Sequence, residues 1–548
     1  MLSRSMLYSL LMVFSVSGYC HNPVFDDYQF DASNGGSSEP LPTGRSQPGS
    51  GFLATQCSDD GLAGGYPCRN IDLQSVLRKA DMGAADVDLN DIWGWTDPLT
   101  GAEIAIIGVE DGTSFVDVTD AVNPLFLGKL ATHQPRDGSR FWRDIKVYNN
   151  HAFIVADGSG NIRHGMQVFD LTGLRNITSP PQALRETAHH NSFGNAHNIA
   201  INEDTGFAYV VGSNQCSGGL YMLDLSNPVN PEFSGCFSGD GYVHDAQCVM
   251  YAGPDARFSG REICFAFNED TITIVDVTNK TNPRLLSRTT YFGSVYTHQG
   301  WLLDDSHSIV LMNDEGDEQD LGENTTTYLY DVSNLGNISQ LGTYVAETAA
   351  IDHNLYTRDG YVYESNYRAG LRVLSSEDVE SGSLEEVAYF DVVPRSDSAQ
   401  FSGAWSSYIY FASGNVVVSD IGRGLFIVRP DWPKIIQLSR PPTLSVNDVV
   451  VRETQRRARV TVNLSRSSDE AVLVTAVTRP RTAVIGDDYE TRVQRIRFAP
   501  GETVRTFAID LVNDNVSEAT EIFVVRLVNS INAPIEDTLA RVIVQDDD

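Results

Sequence analysis

A short phrase returns along this chain and limits what the chain can fold into. It is fullest at Thr113-Ser114-Phe115-Val116-Asp117-Val118-Thr119-Asp120, followed by Asn123-Pro124. It recurs as Gly165-Met166-Gln167-Val168-Phe169-Asp170-Leu171, Gly219-Leu220-Tyr221-Met222-Leu223-Asp224-Leu225, Thr271-Ile272-Thr273-Ile274-Val275-Asp276-Val277 and Thr327-Tyr328-Leu329-Tyr330-Asp331-Val332. Gly370-Leu371-Arg372-Val373-Leu374 and Gly424-Leu425-Phe426-Ile427-Val428 are weaker copies. About seven copies at intervals of roughly 45–55 residues leave room for one propeller blade per period.

Each unit reads as four strands. The first opens on a polar doublet, as at Asn90-Asp91-Ile92-Trp93, and the second is a β-rich run such as Ile104-Ala105-Ile106-Ile107. The third is the repeated phrase, and the fourth is a run like Leu125-Phe126-Leu127-Gly128-Lys129-Leu130. The Asp, Asn and Pro that follow the phrase predict a tight turn, because Asp and Asn side chains cap turns and Pro fixes φ. The last unit lacks a fourth strand, and the alternating segment Asp72 to Leu77 is available to supply it and leave no open edge. An all-β fold follows: a seven-bladed β-propeller over residues 57–432, an extended connector over 433–443, and over 444–548 an immunoglobulin-like β-sandwich of short strands.

The 548 residues and 41% hydrophobic content are more than one core needs. A net charge of -33 argues against nucleic acid and anionic lipid as partners and favours cations. Residues 1–19 read as a signal peptide: Arg4, an apolar run from Met6 to Val16, then Ser17 and Gly18. Cys20 invites a lipoprotein reading, against which Tyr19 stands where a small residue is expected. Residues 20–56, rich in Ser, Gly, Pro and Asn, read as a flexible linker, and no later stretch is apolar enough to be a transmembrane segment. The chain is therefore expected outside the cell or at its surface. The other cysteines fall in local pairs, Cys57 with Cys68, Cys216 with Cys236 and Cys248 with Cys264, which suits disulfides in an exported chain, although spacing alone does not fix connectivity.

Two constellations carry chemistry. Aligning the units puts Asn90, Arg143, His197, His244, His298, His353 and Ser402 at one position, followed by Asp91, Asp144, Asn198, Asp245, Gln299 and Asn354. Inner strands line a propeller's channel, so His197, His244, His298 and His353 converge there. They either bond a neighbouring blade's backbone and hold the register, or bind a transition metal that would support a hydrolase or lactonase-like site. A second polar layer, which includes Asn313-Asp314-Glu315, reads mostly as solvated turns, with some members expected to face the same channel and give it a negative field. In the C-terminal part, Glu453, Asp487-Asp488, Asp514, Glu518, Glu521 and Asp546, Asp547 and Asp548 sit at strand ends or in loops. If those loops share one end of a sandwich, such carboxylates call for a hard cation, Ca²⁺.

Two resemblances rest on these residues. Asn90-Asp91-Ile92-Trp93-Gly94-Trp95-Thr96-Asp97-Pro98, Trp142-Arg143-Asp144-Ile145-Lys146-Val147, Ala196-His197-Asn198-Ile199, Asp245-Ala246-Gln247-Cys248 and Thr297-His298-Gln299-Gly300-Trp301 resemble the choice-of-anchor B family of bacterial surface proteins. Its repeats are of the LVIVD type, seen here as Ile272-Thr273-Ile274-Val275-Asp276. That resemblance spans roughly residues 55–430 and implies a propeller on an exported protein, with no established catalysis. Residues 444–548 resemble a Calx-beta domain, and the resemblance implies calcium ligands at Glu453, Asp488, Asp514, Glu518, Glu521 and Asp546–Asp548. Asn513 departs from the pattern where an acidic pair would begin, and the lost charge weakens one ion of a cluster. The expected function is a secreted or surface binding and adhesion protein whose partner is an extracellular protein or polysaccharide. The rival is the metal-dependent hydrolase.

Overall fold

The structure is a computed structural model that describes residues 54–133, 141–158, 163–439, 442–468 and 470–546. The chain divides into two compact units, the first ending at Ile435 and the second beginning at Ile436. Both are built from β-strands. The segments read as a signal peptide and, up to residue 53, as a linker lie outside the described residues.

In the first unit every copy of the repeated phrase is the third strand of a sheet: Gly112–Asp117, Met166–Asp170, Leu220–Asp224, Ile272–Asp276, Thr326–Asp331, Gly370–Ser375 and Gly424–Pro430. The phrase is apolar on both sides because both of its faces are covered. Ile272 and Ile274 pack with Val310 and Met312 of the following sheet, while Val275 and Val277 pack with Tyr209 and Met222 of the preceding one. The first strands of the seven described sheets are Leu89–Thr96, Phe141–Tyr148, Asn198–Asn202, Asp245–Met250, Thr297–Leu302, Asn354–Arg358 and Ala404–Tyr408. Each lies beside the next, and Ala404–Tyr408 lies beside Leu89–Thr96, so the series closes on itself.

The turn after each of five third strands is made by its terminal Asp. Asp117, Asp170, Asp224, Asp276 and Asp331 each accept a hydrogen bond from the backbone N–H two residues on, at 2.7–3.1 Å. The carboxylate replaces a backbone acceptor and reverses the chain toward the outer strand.

Ile71–Arg78 pairs antiparallel with Gly424–Pro430, from Ile71 opposite Pro430 to Arg78 opposite Gly424, and completes the seventh sheet. Thr55, at the end of the stretch read as linker, exchanges backbone hydrogen bonds with Leu73. Tyr66–Arg69 extends the sixth sheet by pairing with Glu385–Phe390. Disulfides join Cys57 to Cys68, Cys216 to Cys236 and Cys248 to Cys264. The extended connector is corrected in part, since Trp432–Ser439 is a helix. Pro433 is compatible with it because the first turn of a helix has no use for that N–H, and Asp431 Oδ1 accepts from Lys434 N at 3.4 Å.

The second unit has a three-stranded sheet in the order Leu444–Val446, Arg457–Leu464, Val504–Asp510. A five-stranded sheet runs Val449–Arg452, Leu539–Gln545, Glu521–Ile531, Val472–Pro480, Val493–Phe498. Arg457–Leu464 alternates exposed and buried positions, and its inward side chains join Phe507, Phe523 and Val542 in one core. Ring stacking of Tyr489 on Phe523, with centroids 3.9 Å apart, pins the loop before Val493 to that core.

Leu73 is 1% exposed in the closing strand. Leu73→Ala is expected to lower the stability of the first unit by about 2–5 kcal/mol, read from urea unfolding.

Candidate functional site

The polar residues at the starts of the inner strands splice neighbouring sheets. The Gln299 side chain donates to the Leu355 carbonyl and accepts from Leu355 N, both at 3.0 Å. Asn198 donates to the His244 carbonyl at 3.0 Å, and Asp144 accepts from Ile199 N at 2.7 Å. His244 Nδ1 lies 3.0 Å from the His298 carbonyl, and His353 Nδ1 bonds the Trp405 carbonyl. A carbonyl only accepts, so Nδ1 carries a proton in both rings. The same bond identifies the seventh equivalent position as Trp405 rather than Ser402, whose hydroxyl accepts from Arg368.

His197, His244, His298 and His353 stand in file, with successive centroids 4.2, 4.0 and 4.4 Å apart. They do not form one four-ligand set. His197 pairs with Asp157 at 3.1 Å; burial opposes its charge, but the carboxylate overrides burial and raises its pKa. Nε2 of His298 and of His353 each lie 3.5 Å from an oxygen of Glu315, whose Oε1 accepts from the Tyr367 hydroxyl at 2.7 Å. Burial holds His298 well below its ordinary pKa, lowers His353 to about 3 and pushes Glu315 up to about 7. The group with metal-ligand spacing is thus His298, His353 and Glu315. Glu315 belongs to the second polar layer of the sequence and was not grouped with the histidines, because it follows the second strand of its sheet, outside the aligned first-strand position.

The cavity bordered by these rings is about 20 Å³, room for about one water. Below it, Lys146 reaches Asp144 at 2.5 Å and Asp91 at 3.8 Å, and its Nζ lies 4.6 Å from the centre of the Trp93 ring. Lys146 also borders a wider cavity of about 540 Å³ at the other ends of the inner strands. Trp93, Trp95, Trp301, Tyr408, Tyr410 and Glu203 line that second cavity. It was not read from the sequence, since these aromatic residues come from three first strands distant in the chain, Leu89–Thr96, Thr297–Leu302 and Ala404–Tyr408 with its continuation.

The acidic end of the second unit follows from its topology. Val449–Arg452 and Leu539–Gln545 are parallel neighbours, so Glu453 and Asp546, just past their ends, fall side by side. Glu521 opens the antiparallel neighbour, opposite Val544, and so joins the same end. Asp488 is brought there because its carbonyl accepts from Val512 N at 2.9 Å. Glu453, Asp488 and Glu518 place ligand oxygens within 4.8 Å of one another, and Asp546 accepts from Glu518 N at 2.7 Å. Burial, then repulsion from Asp546, Asp488, Asp514 and Glu518, pushes Glu453 up to about 6; burial with Asp488, Glu518 and Glu453 takes Glu521 to about 7. Asp514 is therefore felt at the site, whereas Asp547 and Asp548 lie outside the described residues.

Residues 441–548 match the Calx-beta domain, and residues 193–238 and 258–290 match the LVIVD repeat. No curated protein matches the chain. Among solved structures, the chain is similar to the apo form of the Calx CBD1 domain, at 25% identity over 20% of this chain and 100% of that one, with a TM-score of 0.19. It is similar to CBD12 from CALX1.2 at 26% identity, over 19% of this chain and 46% of that one, with a TM-score of 0.19. A protein from Lactobacillus plantarum is 12% identical over 77% of this chain and 99% of that one, with a TM-score of 0.41. No helix among the described residues is long and apolar enough to cross a membrane.

Burial pushes Asp245 up to about 7, opposed by Lys146 and reinforced by Asp144, with His197 also facing it. A carboxyl whose folded pKa is raised stabilises the fold below its unfolded pKa and loses that contribution as pH climbs through the folded value. Thermal stability of the first unit is therefore expected to fall as pH rises from about 4 to about 7 and to level off above that, and Asp245→Asn to flatten the fall, as followed by melting at saturating calcium.

Proposed function

We propose that the chain is a secreted or surface-displayed binding protein of the choice-of-anchor B kind. In this reading the closed series of seven sheets is a seven-bladed β-propeller that carries the ligand. The second unit is a Calx-beta module stiffened by calcium at Glu453, Asp488, Glu518, Glu521 and Asp546, with Asp514 adding field. The Calx-beta match and the oxygen spacing of Glu453, Asp488 and Glu518 support the calcium.

The observation that carries the binding role is the aromatic cavity of about 540 Å³, within the size range of small-ligand sites. Indole and phenol rings offer apolar faces with polar tips, and Glu203 and Lys146 add hydrogen-bonding groups at the wall. That combination suits the alternating apolar faces and hydroxyls of a polysaccharide. On a glycan array the full chain is expected to retain a polysaccharide, and Trp93→Ala to weaken that retention at least tenfold. A wild-type chain that retains no glycan but captures an extracellular protein would move the partner to the protein class.

One observation favours the second reading, a metal centre in the channel: His298 and His353 present Nε2 to Glu315. A soft or borderline cation would suit two imidazoles and a carboxylate. The adjoining cavity of about 20 Å³ leaves no space for a substrate larger than water, which weighs against hydrolysis there. Elemental analysis of chain purified without chelator tests it: one zinc, iron, copper or manganese per chain, lost in His298→Ala, would establish the centre.

Chelation separates the calcium claim. EDTA is expected to lower the melting transition of the second unit by several degrees and excess calcium to restore it, while Asp488→Asn makes that transition indifferent to both.

A further inference from the structure

Beyond the readings above, the first unit holds three carboxylates whose placement has no explanation in the hydrogen bonding around them. Asp317 and Glu318 open a single helical turn, Asp317–Asp320, that follows the strand Ile309–Asp314 of the fifth sheet. Asp352 precedes the first strand of the sixth sheet, Asn354–Arg358. Their exposures are 0%, 4% and 0%, and one oxygen from each lies within 4.8 Å of the others.

Two of the six oxygens are satisfied. Asp317 Oδ2 accepts from the Tyr328 hydroxyl at 3.0 Å, and Glu318 Oε1 accepts from Asp352 N at 3.0 Å. Asp317 Oδ1, Glu318 Oε2 and both oxygens of Asp352 are shut off from solvent and receive no hydrogen bond from a backbone N–H, hydroxyl or cationic side chain, the Asp317 and Glu318 carboxyls facing only each other. None of the three carboxylates forms an ion pair with Lys or Arg among the described residues. The charges that act on Asp352 are Glu318, Asp317, Asp314 and Glu364, all acidic. A fully buried Asp with two empty lone-pair faces, turned toward two other buried carboxylates, is a costly arrangement unless a cation sits among them.

We propose that Asp317, Glu318 and Asp352 form a calcium site that joins the fifth and sixth sheets of the first unit. The donor set is all oxygen, which selects a hard cation over zinc or copper. Four free carboxylate oxygens from three residues, one residue offering both, suit the irregular and often bidentate coordination of Ca²⁺. Mg²⁺ demands near-octahedral geometry and holds its waters, for which so enclosed a place is poorly shaped. The ion fixes the Asp317–Asp320 turn, and with it Glu315 two residues earlier, against the segment that carries His353. This site is separate from the carboxylates of the second unit and from the imidazoles of the channel.

Calcium bound per full-length chain, measured by equilibrium dialysis and elemental analysis, tests the assignment. Asp352→Asn is expected to bind one ion fewer than wild type, and the loss should add to that caused by Asp488→Asn in the second unit. Glu318→Gln should show the same deficit and serves if Asp352→Asn fails to fold. A folded variant of either kind with an unchanged calcium count overturns the site and leaves the three carboxyls as a proton-sharing cluster. With Glu453→Gln and Asp488→Asn combined, terbium should still give tyrosine-sensitised emission that calcium quenches. Absence of that emission, or quenching by magnesium at equal concentration, also overturns the assignment.

Discussion

The first unit depends on a single pairing, that of Ile71–Arg78 with Gly424–Pro430. It supplies the fourth strand that the seventh sheet would otherwise lack, and it fastens the two ends of the unit to each other. The central chemistry rests on this closure. A side chain such as Gln299 or His353 bonds the backbone of the next sheet, so each first strand needs a neighbour on both sides. With the edge open, Ala404–Tyr408 and Leu89–Thr96 would lose each other as neighbours, and the His353 bond to Trp405 would be held from one side only.

Much of this was legible in the sequence for a local reason. The third strand is written as an unbroken apolar run because both of its faces are covered, and its final Asp is fixed by a turn two residues long. The local pairing of cysteines was legible too, each pair spanning 11 to 20 residues. The helix Trp432–Ser439 was missed because Pro433 and the prolines flanking the helix read as extended chain, although Asp431 supplies the cap. Trp405 was missed for a related reason. The alignment followed polar residues, and in the seventh sheet an aromatic takes the polar place, next to a register shift between Ala404 and Ser406.

The candidate sites divide along the same line. At the acidic end of the second unit the ligands sit at strand termini, so their order along the chain already implies their meeting once two strands run parallel. In the first unit the sets His298, His353 and Glu315, and Asp317, Glu318 and Asp352, each combine residues of two sheets and of different positions within a sheet. A repeat aligns equivalent positions and is blind to contacts between unlike ones. The second polar layer, read mostly as solvated turn with some members facing the channel, is for Glu315 a half-buried one, because the turn brings its carboxylate against His298 and His353 instead of out to water.

Two treatments of buried negative charge then meet within one channel. Around Lys146 the chain supplies its own cation to Asp91, Asp144 and Asp245, too few positive charges for three carboxylates, so burial keeps protons on part of the set. Lys146 is also the floor of the wide aromatic cavity, which ties the charge state above it to the shape below. The narrow end has room for about one water and the wide end for a small molecule, so in the binding reading proposed above the same seven strands keep charge neutralisation and ligand capture at opposite ends. The groups that must stay dry to hold the sheets together are thereby kept away from the open aromatic cavity, a division that the proposed binding role would use.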